Sequence, residues 1–236
     1  MRKLIKLTSL LFTIIALGIT SVCAQTEDQI TAFTKAAKFD DVSEVKALLK
    51  QGVSPNALDP KGSPMLVLAV KDRSSAVIEL LLADKRTDVD LSNKYGETPL
   101  MIASINGNLP IVKTLVLQKN AMVDHVGWTP LHYACTNDGH IEVTQFLLAN
   151  GATVDSRGLN GTTPLMMAVQ SGNEDLVKLL LDKGANIQIR NNLGLTAIDI
   201  ADIYQKPWIG DGLRSRWLKL YKQVYVSNIK PVQSNP

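Results

Sequence analysis

Large apolar residues recur along the chain with a period close to 33 residues, and each is followed three positions later by alanine. The six pairs are Phe33/Ala36, Leu66/Ala69, Leu100/Ala103, Leu131/Ala134, Leu165/Ala168 and Ile198/Ala201. Successive steps measure 33, 34, 31, 34 and 33 residues. A unit of this length cannot bury its apolar face by itself, so six copies predict a stacked solenoid.

Two short helices are predicted in each unit. The first begins at a Thr-Pro pair in three units, where threonine caps the helix and proline starts it without losing a hydrogen bond. The second helix is indicated by an apolar run such as 80–82, 146–148 or 179–181. Glycine or asparagine then ends that helix, because both residues tolerate the left-handed conformation; the residues are Gly52, Asn120, Gly151 and Gly184.

The spans that join consecutive units differ in length at one place. The threonine that opens a unit lies nine positions after the valine or isoleucine of the preceding unit in 89–98, 154–163 and 187–196, but only six positions after it in 123–129. One connection in the row is therefore shortened.

The motif Thr129-Pro130-Leu131-His132, with worn copies at the same point of the other units, resembles the ankyrin repeat family over about residues 27–203. The resemblance implies an all-α solenoid of about six helix-turn-helix repeats joined by β-hairpin fingers, with a C-terminal capping helix. It also implies a scaffold that binds a protein partner and has no catalytic role.

The two ends of the chain predict the domain boundaries. Basic residues at 2, 3 and 6, an apolar run at 10–19 and Val22-Cys23-Ala24 are typical of a secretory signal cleaved after Ala24. We therefore expect a signal peptide at 1–24, the repeat domain with its capping helix at 25–226 and a disordered tail at 227–236. The protein is expected in the periplasm, or secreted; lipidation at Cys23 is the alternative.

Charge and the C-terminal segment bear on the choice of partner. The three basic residues of the signal account for the whole formal charge of +3, so the remaining chain has 22 basic and 22 acidic residues and no excess that favours nucleic acid. Residues from 203 onward are basic, and an apolar helix face is formed by Leu213, Trp217, Leu220 and Val224. A cap for the solenoid is the favoured interpretation, and a helix that binds a membrane surface or a partner is the alternative.

The sequence contains no recognisable catalytic or metal-binding constellation. The resemblance implies internal hydrogen-bonding roles for His132 and His140, and Cys135 follows a buried alanine, where a structural thiol is expected. The acidic residues at 90, 124 and 155 recur at one repeat position, where turn chemistry is favoured over a cation site. We expect no cofactor, no metal, no small-molecule substrate and no nucleic acid.

The resemblance implies that fingertips and the exposed side of each first helix line a concave binding face. The favoured partner-binding residues are Tyr95, His125, Trp128, Tyr133, Arg157, Leu159, Asn160 and Arg190. The shortened finger is expected to open a notch beside Trp128, Tyr133 and Arg157. The alternative for Trp128 is packing against the neighbouring finger.

Three functional hypotheses remain from the sequence. The leading one is a monomeric periplasmic module that binds a partner protein, as an inhibitor or immunity protein or as an accessory factor for a stress-defence enzyme such as catalase. The second is an adaptor attached to the membrane through its basic C-terminal helix, although membrane contact is not favoured. An enzyme built on the solenoid is the third and is disfavoured, since fold alone does not supply chemistry.

Overall fold

The computed structural model describes residues 25–137 and 139–229. Its helices form six consecutive pairs, which confirms the predicted solenoid. The pairs are α1 (Glu27–Lys38) with α2 (Val42–Lys50), α3 (Met65–Asp72) with α4 (Ser75–Ala83), α5 (Pro99–Ile105) with α6 (Leu109–Lys113), α7 (Pro130–Ala134) with α8 (Ile141–Ala149), α9 (Pro164–Ser171) with α10 (Glu174–Asp182), and α11 (Ala197–Ile203) with α12 (Pro207–Tyr221). Each first helix contacts the first helices of the adjoining repeats.

The predicted capping motif starts the first helices. The Thr98 hydroxyl accepts from the Met101 amide at 3.3 Å, and Thr163 does the same for Met166 at 3.3 Å. Proline occupies the first turn of both helices, where a missing N–H leaves no bond unmade. Replacing such a cap by alanine typically costs about 1 kcal/mol.

One continuous apolar core runs the length of the stack. Both members of all six recurring pairs are buried, with at most 2% of each side chain exposed. Each fully buried large side chain stabilises the fold by about 1.5–3 kcal/mol, and the alanine lets the next repeat approach. Cys135 belongs to this core, and burial raises the pKa of its thiol to about 12. The structural role expected for Cys135 is confirmed.

The full-length fingers are single hydrogen-bonded turns and not strand ladders. In the finger of the third repeat, the Asn93 amide donates to the Glu97 carbonyl at 3.0 Å and the Gly96 amide donates to the Asn93 carbonyl at 2.9 Å. The same pair of bonds closes 59–63, 158–162 and 191–195. Across the described residues the only bridge of β type joins Leu58 and Pro64, because five residues are too few for a ladder.

The third repeat departs from the others at two points. Its second helix continues beyond α6 as a π-helical turn, Thr114–Gln118, and the two together span ten residues where α4, α8 and α10 each have nine. The finger that follows is three residues short, so one residue added and three removed account for the 31-residue step. Asn120 adopts the predicted left-handed conformation with φ 55°.

The predicted apolar face of the last helix is wrong at two of its four positions. Leu213 is buried and Trp217 is half-buried, but 54% of Leu220 and 78% of Val224 are exposed. Val224 is exposed because α12 ends at Tyr221 and the chain turns at Lys222 with φ 56°. Leu220 lies in the last turn of α12, where the helix face has no neighbouring repeat.

The chain that follows α12 folds back onto the last repeat. Tyr225 packs edge-on against Trp217 with ring centroids 5.0 Å apart, and the Ser227 hydroxyl donates to Asp199 at 2.6 Å. Ser227 and Asn228, assigned from sequence to a disordered tail, donate hydrogen bonds to Asp199 and to the Gly194 carbonyl of the last repeat. Residues 230–236 and the predicted signal peptide, 1–24, lie outside the described residues. Within the described part of the chain, no helix has the length and apolarity needed to cross a membrane.

Candidate protein-binding surface

Large apolar side chains stand exposed at the tips of four consecutive fingers. The exposed fractions are 74% for Tyr95, 97% for Val126, 76% for Leu159 and 80% for Leu193. We call these residues the fingertip row. Isolated exposed apolar residues are ordinary, but a contiguous row of them marks an interaction surface.

Val126 was missed by the sequence analysis, although a signal for it was present. It stands directly before Gly127, which has φ 89°, as Tyr95 stands before Gly96 and Leu193 before Gly194. An apolar residue immediately before the turn glycine therefore marks three of the four tips, including the shortened finger, whereas Leu159 stands two residues before Gly161.

The shortened finger leaves a cleft of about 310 Å³, which we call the notch. Its apolar lining includes Tyr95, Met122, Val126, Trp128 and Leu159. Met122 is 52% exposed at a position where the neighbouring repeats carry a polar residue. The expected opening is present beside Trp128, between the finger of Tyr95 and that of Leu159, but Tyr133 and Arg157 do not line it.

Trp128 packs against the next finger, as its alternative interpretation proposed. Its ring meets the His132 ring edge-on, with centroids 5.2 Å apart and planes at 82°. It also covers Gly158 so closely that a Cβ there would come within 2.9 Å of the ring. Trp128 is half-buried and holds two repeats together while it forms one wall of the notch.

His132 joins its own repeat to the next from a fully buried position. Its Nε2 donates to the Thr162 carbonyl at 2.9 Å, so its Nδ1 accepts from the Thr129 amide at 3.2 Å. His140 similarly donates through Nε2 to the Ile105 carbonyl of the preceding repeat at 2.8 Å. The internal roles expected for both histidines are confirmed.

Acidification is expected to destabilise the protein through His132. Burial lowers the pKa of His132 below its ordinary value of 6.5. As pH falls, His132 is therefore protonated in the unfolded chain before it is protonated in the folded one. The stability it contributes is complete above pH 6.5 and is lost as pH falls towards the lowered value. Urea unfolding between about pH 7.5 and 5.5 should show a loss of up to about 1 kcal/mol that His132→Gln reduces. An unchanged slope in that variant would contradict the prediction.

His125 is the histidine that the scaffold does not explain. Its Nδ1 lies 3.2 Å from the Val126 carbonyl, which can only accept, so Nδ1 carries the proton and Nε2 of the neutral ring is an acceptor. That Nε2 atom and Asp124 Oδ1 are buried and have no hydrogen-bond partner among the described residues. Two unsatisfied acceptors therefore sit side by side in sequence at the shortened finger.

The recurring acidic residues link adjacent repeats. Asp90 accepts from the Met122 amide at 2.9 Å, and Asp124 accepts from the Thr153 amide at 2.8 Å. Asp155 continues this ladder by accepting from the Asn186 amide at 3.0 Å. This role differs from the local turn chemistry that the sequence favoured, since each partner lies about 30 residues away. No cluster of metal-ligating side chains occurs within 25–137 and 139–229.

A second cleft of about 400 Å³ lies on the helix side of the fingers, and Tyr133 lines it together with Lys71, Lys94 and Tyr95. The Tyr133 hydroxyl donates to Glu97 at 3.0 Å. Burial, reinforced by the nearby Glu97 carboxylate, raises the pKa of Tyr133, which stays protonated. Tyr95 borders both this cleft and the notch.

Three of the predicted binding residues take part in hydrogen bonds within or between the last two fingers. Arg157 donates to the Arg190 carbonyl at 2.8 Å, and Arg190 donates to the Gly194 carbonyl at 2.8 Å. The Asn160 carbonyl accepts from the Asn192 amide at 2.9 Å. The two arginine side chains and the Asn160 backbone thus hold the last two fingers in place, so the fingertip row and the notch are the surface with fewer internal contacts.

Comparisons with known proteins identify the repeats. Family models described as "Ankyrin repeats (3 copies)" and "Ankyrin repeat" match residues 66–158 and 160–192. Putative ankyrin repeat protein YahD of Escherichia coli is 33% identical over 163 residues, which are 66% of this chain and 80% of that protein. Human SH3 and multiple ankyrin repeat domains protein 2 is 30% identical over 73% of this chain. The chain spans only 10% of that human protein and 14% of mouse Rabankyrin-5.

A solved structure is similar over most of the chain. It is the complex of Bd0816 Predatory Endopeptidase from Bdellovibrio bacteriovorus with immunity protein Bd3460, one chain of which superposes with a TM-score of 0.68 and 25% sequence identity. The match covers 78% of this chain and 97% of that chain.

Proposed function

We propose that this protein is exported to the periplasm, where it binds and inhibits a partner enzyme. The chain belongs to the ankyrin repeat family, whose members are generally non-catalytic protein-interaction modules. The observation that carries the proposal is the exposed fingertip row beside the notch. A specific complex buries roughly 1,200–2,000 Å² in total, and a row of four fingers with the adjoining clefts offers a surface of that order.

Inhibition is supported by the structural comparison. The similar chain comes from a complex between an endopeptidase and an immunity protein, so this fold occurs in an assembly of an enzyme with a protein of that class. Export is supported by residues 1–24 of the sequence, with their basic start, apolar run and small residue before Gln25. An inhibitor that accompanies an exported enzyme needs no chemistry of its own.

The test is capture followed by an activity assay. The full chain, tagged at its C-terminus and produced in its source bacterium, should be recovered from the periplasmic fraction with a mass that begins at Gln25. It should carry one stoichiometric partner, identified by mass spectrometry. Adding an equimolar amount of the purified protein should then suppress the partner's enzymatic activity.

Two results would contradict the proposal. One is recovery of the chain in the cytoplasmic fraction with residues 1–24 retained. The other is a captured enzyme that keeps its full activity when saturated with this protein, which would favour an accessory role.

A further inference from the structure

We propose that the notch receives an arginine side chain from a loop of the partner protein. The inference rests on the proposed function, since it specifies which chemistry of the partner the fingertip surface recognises. It is drawn from the walls of the notch, its charge and the unsatisfied acceptors of the shortened finger.

The walls suit a side chain with a long apolar stem. Met122 and Leu159 are 52% and 76% exposed, and the Tyr95 and Trp128 rings complete the lining. Arginine buries three methylene groups along apolar surface and can lay its flat guanidinium on an aromatic face. Lys94, whose ammonium lies 5.1 Å from the Tyr95 ring centroid, lines the other cleft and leaves the notch unobstructed.

The charge of the notch favours a cation. Asp90 is the one acidic residue among those that line it, and no lysine or arginine does. Asp90 uses one oxygen to accept from the Met122 amide and forms no ion pair among the described residues. Asp124, the next carboxylate of the ladder, accepts from the Thr153 amide and likewise forms no ion pair among the described residues. A partner that brings a positive charge is therefore attracted to this position.

The acceptors beneath the shortened finger select a donor with several N–H groups. His125, which lines the notch, has an Nε2 atom without a donor among the described residues, and so does Oδ1 of the adjacent Asp124, which lies outside the lining. Buried acceptors left unsatisfied are costly. Residues 124–128 lack the closing backbone bonds that hold the full-length fingers, so a small shift of this turn can open both atoms to a ligand. The guanidinium offers five donors in a planar fork, whereas the lysine ammonium is a compact point charge.

The test uses three blocked tripeptides, acetyl-Gly-X-Gly-amide with X as arginine, lysine or norleucine. Each is titrated into the isotope-labelled protein while backbone amide shifts are followed. The arginine peptide should shift the Gly96, Val126 and Gly127 amides saturably and bind about tenfold more tightly than the norleucine peptide, with lysine between them.

Matched variants show how much of the peptide affinity depends on the charge of Asp90 and how much on the shape of the notch. Asp90→Asn keeps an oxygen for the Met122 amide but removes the charge, so it should weaken the arginine peptide about tenfold and leave norleucine unchanged. Asp155→Asn makes the same change at a ladder position that does not line the notch, and should alter neither peptide.

The inference is overturned if the arginine peptide gives no saturable shifts at these amides, or if norleucine binds as tightly as arginine. Its failure is distinguishable from that of the proposed function. Capture and inhibition of a partner without arginine binding at the notch would leave the proposed function standing, while arginine binding without an inhibited partner would leave only the site.

Discussion

Replacing Asp199 by alanine is expected to lower the free energy of unfolding by about 3 kcal/mol, the largest effect we predict for a single polar residue. Asp199 is fully buried and accepts from the Thr196 amide at 2.9 Å, from the Ser227 hydroxyl at 2.6 Å and from the Tyr225 hydroxyl. Arg190 adds a charge 3.9 Å away. Alanine would leave these donors unpaired and release the C-terminal segment from the last repeat.

Urea unfolding at neutral pH measures this loss, and Asp202→Ala is the matched control. Asp202 is a partly exposed acid on the same helix that pairs with Arg214, so its removal should cost less than about 1 kcal/mol. Equal losses in the two variants would show that the buried network does not secure the cap.

The contribution of Asp199 should also depend on pH. Burial by itself would raise its pKa, but the hydrogen bonds from Ser227, Tyr225 and Thr196 outweigh burial and hold the pKa below the ordinary value of 3.8. A lowered pKa means that the stability is present above pH 3.8 and is lost as pH falls below it. The stability difference between the wild type and Asp199→Asn should therefore shrink on acidification through that range.

Replacing Tyr95, Val126 and Leu159 together by serine is expected to weaken partner binding at least about a hundredfold without loss of stability. The three side chains are largely exposed in the free protein and belong to consecutive fingertips beside the notch. Large apolar anchors at the centre of an interface carry most of its binding free energy. Calorimetric titration of the captured partner measures the affinity, and urea unfolding measures the stability.

Two control variants test whether the effect is specific to the fingertips. Phe39→Ser with Leu117→Ser removes side chains that are 76% and 60% exposed but lie off the fingertips, and should leave affinity unchanged. Trp128→Ala should instead reduce stability by about 2 kcal/mol, because Trp128 packs on His132 and Gly158. If the triple variant binds as tightly as the wild type, the recognition surface lies elsewhere, and the basic helix α12 is the next place to test.

The residues that could be assigned from sequence are those whose environment is set within one repeat. Thr98 and Pro99 start a helix because capping acts over three residues, and Asn120 ends one because its own backbone conformation requires it. The Leu131/Ala134 spacing places both residues on the buried face of any helix that contains them. Each of these effects is local, and the same residue pattern occurs in several repeats.

Contacts between repeats could not be assigned in this way. Asp124 bonds an amide 29 residues further on, Trp128 covers a glycine of the next finger, and Asp199 holds a segment that returns after α12. Leu220 fits a helical face, but that face has no neighbour at its level of the stack. These contacts depend on the orientation of each repeat relative to the next and on the position at which the solenoid ends.

The sequence by itself thus determined the helix pairs, their caps and their buried face, since period, propensity and capping act over a few residues. Only the tertiary structure decided which polar side chains link repeats, which apolar ones remain exposed at the fingertips, and how the last repeat is closed. The physical reason is that hydrogen-bond satisfaction and packing between repeats depend on groups about 30 residues apart in the chain.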